Sequence, residues 1–213
     1  MSRRSCLIPL LFLLLAGGAT TVSAQLPAVQ VQIYDYAELK SGTLHDLVVL
    51  TDEVLVEAGV SVQVKLCRGN LALPCESQSG GARRLMIRVV AGEPKRMSNV
   101  RRPPLGQSFA DHQGGLYASV FLERVQDAAA GANVPWVTLL AYATAHEVGH
   151  LLLGDEAHTT RGVMKASWDR KDYEAMSQNH FHFSQEQVRE LRVRYSASGA
   201  EDVGPETASK NPD

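Results

Sequence analysis

The sequence carries no excess of basic residues. Its 21 lysines and arginines stand against 23 aspartates and glutamates. That balance gives no electrostatic footing for nucleic acid or for an anionic membrane. The small basic run "VRRPP" at 100–104 reads as a solvated turn. Cysteine is scarce, with three in 213 residues. No internal repeat is visible. Calcium-loop spacing is missing too, since "DEAH" and "DRKD" lack the glycine turn such a loop needs.

The apolar run "CLIPLLFLLLAGG" is too short to span a membrane comfortably. Arg3 and Arg4 precede it, and "VSA" at 22–24 has the small-x-small pattern of a signal-peptidase site. Residues 1–24 therefore read as a signal peptide cleaved after Ala24, and the protein as secreted or periplasmic. An uncleaved anchor is the competing reading. Cleavage removes two arginines and no acids, so 19 basic residues face 23 acidic ones, a formal charge of −4. Nothing then calls for stable membrane association. Cys67 and Cys75, close together in an oxidising compartment, read as one disulfide.

Residues 25–195 carry the folded pattern. Alternation predicts strands over Val29–Tyr34 and Val60–Leu66, with a more continuously apolar one over Arg84–Val90. A helix is expected over Thr43–Ala58, with Thr43 as cap and Gly59 as stop. Gly115–Val125 is apolar enough for a strand, and "GQSFA" at 106–110 suits a short edge strand. "NVPWVTLLAYATAHEVGHLLLG" reads as a long helix capped by Asn133 or Val134 and ended by Gly154. Ser184 with Gln187 opens a last helix through a capping box. Residues 196–213 are polar and read as a disordered tail. One α/β or α+β domain follows from this order.

The chemistry lies in "AHEVGHLLLGDEAHTTRGVM". His146 and His150 are four apart on the long helix, so both imidazoles leave one face and can share a zinc ion. Glu147 is offset by about 100°, beside the metal, where it suits a base acting on metal-bound water. The third ligand is expected to be His158, past the turn at Gly154. Glu156 is its rival, and His180, His182 or Glu174 are more distant candidates. His112 reads as a loop residue, Tyr173 as a packing residue, and "NHFHF" as an extended segment with His180 and His182 on one polar face.

These residues resemble the metzincin clan of zinc metalloproteases, whose motif is His-Glu-x-x-His-x-x-Gly-x-x-His followed by a methionine turn. His146, Glu147 and His150 match. Gly154 arrives one residue late and His158 two late; Leu153 and Glu156 hold the clan's offsets. Met164 in "RGVM" falls where the methionine turn would lie, as a support under the metal. The chain is also similar to small exported bacterial proteins with "HE-x-GHLLLG…H…GxM". The resemblance implies a twisted, mostly parallel sheet with an antiparallel edge strand, an early helix, a zinc-binding active-site helix and a C-terminal helix. The clan's blocking propeptide has little room before the first strand.

The expectation is a zinc-dependent endopeptidase acting on peptide or protein substrates, with Zn²⁺ on His146, His150 and His158 and Glu147 as general base. The residues 106–110 would bind peptide by strand addition. Two other readings stay open: a noncatalytic zinc-stabilised binding domain, and a zinc hydrolase of a nonprotein amide. Oligomeric state leaves no trace in the sequence.

Overall fold

The computed structural model describes residues 27–68, 75, 81–92 and 103–196. The segment read as a signal peptide, most of the cysteine loop and the expected tail from residue 197 lie outside these. Alternating valines open the first strand, β1 (Val29–Asp35), and put Val29, Val31 and Ile33 on one buried face. Asp35 closes it: its carboxylate accepts the backbone N–H groups of Ala37 and Leu39 at 2.9 and 2.8 Å.

Helix α1 (Ser41–Glu57) starts two residues before the expected Thr43, with Lys40 at the cap and no side-chain cap bond. The first helical bond runs from Leu44 N–H to Lys40 O, so Thr43 lies inside the first turn. Strand β2 (Val62–Arg68) begins two residues later than alternation suggested. Val60 and Ser61 are used in the connection, donating to Leu55 O and Tyr195 O. At the far end of β2, Cys67 is bonded to Cys75, as the spacing predicts.

Strands β3 (Arg83–Val90), β4 (Gly106–Asp111) and β5 (Gly114–Phe121) complete a five-stranded sheet in the order β2-β1-β3-β5-β4. All pairings are parallel except β4 on β5, so the antiparallel strand is at the edge. The fold is thus mixed α/β with a mostly parallel sheet. The expected strand over 115–125 is too long, because the chain becomes helical at Leu122. Helix α2 (Leu122–Ala132) buries Leu122, Val125 and Ala129, a three-and-four spacing that alternation cannot serve. Asn133, in a left-handed conformation at φ 55°, ends it rather than capping the next helix.

That next helix is α3 (Trp136–Leu153), with Pro135 at the cap position. It packs on α1, α2, β4 and β5. From Leu139 to Leu152 every residue but His146 is buried, so three polar side chains, Thr144, Glu147 and His150, are carried into the interior. Leu139, Leu140 and Leu151 are fully buried; truncating any one to alanine costs about 2–5 kcal/mol. α4 (Arg170–Ser177) is capped reciprocally by Asp169 and Asp172, and Lys165 Nζ reaches both carboxylates at 2.7 and 2.6 Å. The expected capping box of Ser184 and Gln187 opens α5 (Gln185–Tyr195). No helix among the described residues is long and apolar enough to cross a membrane.

Candidate metal centre

One turn of α3 separates His146 from His150, and each ring is oriented by a backbone carbonyl. His146 Nδ1 lies 2.8 Å from Val163 O, and His150 Nδ1 lies 3.1 Å from Gly154 O. A carbonyl oxygen can only accept, so both Nδ1 atoms carry the proton. Burial lowers both histidines' pKa values, His146 to about 4. Both rings are therefore neutral at pH 7, and each Nε2 presents a bare lone pair.

Those lone pairs meet. His146 Nε2 and His150 Nε2 are 3.2 Å apart, and His158 Nε2 is 3.1 Å from His150 Nε2. The donor atoms of all three histidines lie within 4.8 Å of one another. Between His146 and His150 no proton is left to join the two nitrogens, so their approach is repulsive unless a cation sits among them. Nitrogens around a tetrahedral zinc ion at 2.0–2.1 Å would stand about 3.3 Å apart. The donor set and spacing fit a divalent cation.

The turn after α3 brings His158 in. Gly154 has φ 106°, and a Cβ on it would lie 3.0 and 3.1 Å from the His112 and Asp111 carbonyl oxygens. The chain can therefore turn against the β4–β5 hairpin, where Asp155 N–H donates to Asp111 O. Gln187, from α5, donates its side-chain amide to Ala157 O at 2.8 Å and anchors the residue before His158. His158 itself is exposed.

Met164 is fully buried below α3. A Cβ on Gly149 would come within 2.2 Å of its sulfur. The same turn presents the Val163 carbonyl, which also accepts from Trp168 Nε1 at 3.2 Å. Val163 N–H in turn donates to His182 O. The "NHFHF" segment alternates as expected: Phe181 and Phe183 are buried, while His180 and His182 are exposed.

Glu147 is 5% exposed and lies against the edge strand. Burial raises its carboxyl to about 8, against a smaller lowering by a hydrogen bond from the Ser108 side chain. Glu156 is exposed in the turn before His158, and Glu174 is exposed in α4, paired with Arg170. His112 is exposed in the β4–β5 hairpin, His182 pairs with Glu57, and Tyr173 is half-buried in α4. Among the described residues none of these joins the histidine group. Sequence reasoning missed the Val163 carbonyl and Trp168, and it read Gly106 and Ser108 only as part of a peptide-binding edge strand, without their contact to Glu147. Each acts through a tertiary contact that leaves no local pattern.

No family model and no curated protein matches the sequence. Among solved structures, archaemetzincin from Methanopyrus kandleri is similar with a TM-score of 0.49 and 16% identity, over 78% of this chain and 94% of that one.

Proposed function

We propose that the protein is a zinc-dependent peptidase of metzincin type, with His146, His150 and His158 as metal ligands and Glu147 as general base. The observation that carries this is the convergence of three imidazole Nε2 atoms, two of them held proton-free by backbone carbonyls, with a buried carboxylate one residue along the helix. Zinc held there supplies a Lewis acid that polarises a scissile carbonyl and lowers the pKa of attacking solvent.

Glu147 takes the proton from the attacking water and returns it to the leaving amine. Met164 supports the ligand helix from below. The outer edge of β4, terminal in the sheet, receives the peptide as an added strand. We take the protein to be exported, with residues 25–195 as the catalytic unit; the Cys67–Cys75 disulfide suits an oxidising compartment.

Metal analysis and peptide cleavage together test the reading. Purified wild type should hold one zinc per chain and cleave a quenched peptide mixture. His158→Ala should lose most of its zinc, whereas Glu156→Ala should keep it. Glu147→Gln should keep zinc and lose cleavage; zinc retained in wild type without any cleavage would instead favour a noncatalytic zinc-stabilised domain.

A further inference from the structure

Glu147 extends from α3 to the edge strand, and two residues of that strand meet it. Gly106 and Ser108 are two apart in β4, so they share a face. They pair with Val120 and Ala118, both fully buried, so that face is the inner one. The Ser108 hydroxyl donates to the Glu147 carboxylate. At Gly106 a Cβ would fall 2.6 Å from Glu147 Oε1, 2.8 Å from its Cγ and 2.8 Å from the Ser119 carbonyl oxygen. The Glu147 side chain thus occupies the space that a side chain on Gly106 would need, and the Ser108 hydroxyl, two residues on and on the same face, is its polar neighbour.

We propose that Ser108 is a positioning residue for Glu147, with Gly106 as its seat, so that the edge strand also sets the geometry of the base. This rests on the peptidase reading above. Glutamate has three side-chain torsions, and a base is effective only when held within a few tenths of an ångström of its working position. Burial and the close approach to Gly106 restrain the first torsions; the hydroxyl restrains the carboxylate itself. A substrate strand added to the outer edge of β4 would steady the same strand that holds the base, tying occupancy of the cleft to readiness of the carboxylate.

The experiment compares full-length, zinc-loaded wild type, Ser108→Ala and Ser108→Thr on a quenched peptide mixture. It adds thermal melts of wild type, Ser108→Ala, Glu147→Ala and the double variant. Ser108→Ala should lower kcat about tenfold or more with KM within about twofold. Ser108→Thr, which keeps the hydroxyl on a residue suited to a strand, should restore most of the rate. In the melts, Ser108→Ala should lower Tm in the wild-type background and leave it unchanged beside Glu147→Ala. An unaltered kcat in Ser108→Ala, no recovery in Ser108→Thr, or additive melts would each overturn the proposal. A wild type that cleaves nothing sinks the peptidase reading, and the melts alone then decide whether Ser108 holds Glu147.

Discussion

The sulfur of Met164 occupies the space that a side chain on Gly149 would need, 2.2 Å from where its Cβ would lie. Gly149 precedes His150 directly, so the turn carrying Met164 and the helix carrying the histidines are in contact through a missing methyl group. Phe183 closes the same spot, 3.1 Å from that Cβ position.

Gly149→Ala should therefore overpack that contact. The cost is about 1–3 kcal/mol, which corresponds to a fall in Tm of roughly 3–10 °C. Met164→Leu, close in volume, should cost less than about 1.5 kcal/mol. Thermal melts of the two variants check this; a Gly149→Ala protein as stable as wild type would show that the turn yields freely.

In the metal-free protein Glu147 should contribute stability that is lost as pH rises from about 4.5 to about 8, because folded Glu147 holds its proton up to about 8 while the unfolded chain releases it near the ordinary 4.5. At this group the folded state binds more protons in that window, so raising pH weakens its contribution. His146 acts in the other direction: its folded pKa of about 4 against 6.5 removes stability as pH falls from 6.5 to 4. Glu147→Gln deletes the first effect alone. In chelator, its Tm should exceed that of wild type by several degrees at pH 8, with the gap closing toward pH 4.5. A gap that does not change with pH would rule out the buried carboxylate as its cause.

The Cys67–Cys75 disulfide is attached to the end of β2 through Cys67, and β2 and β4 are opposite edges of the sheet. Closing a loop of eight residues' separation is worth about 2–3 kcal/mol by chain entropy. The double variant Cys67→Ser, Cys75→Ser should melt lower by roughly 5–10 °C and hold as much zinc as wild type. Loss of zinc in that variant would mean the two edges are coupled through the sheet.

Local signals were readable where neighbours in sequence are neighbours in space. Alternation marked β1, glycine stops marked the ends of α1 and α3, and the Ser184–Gln187 box marked α5. Helix α4 escaped notice because it is polar almost throughout and buries only Met176. Helix α2 was hidden by the apolar run of β5, whose last residues and the first of the helix are alike in hydropathy. The grouping of His158 with His146 and His150 was foreseen from the motif. What holds it there was not: Gln187 on Ala157, and Gly154 on the hairpin, join residues about 30 and 40 positions apart.

Both orienting bonds to the His146 and His150 rings come from main-chain oxygens, at Val163 and Gly154. Every amino acid supplies that atom, so no exchange of side chain at either position can delete it. The tautomers that aim the two lone pairs are inherited with the path of the chain rather than with its lettering. Val163 could be exchanged with that bond intact, whereas Gly154, at φ 106° and against the hairpin carbonyls, must stay without a side chain for its oxygen to stay in place.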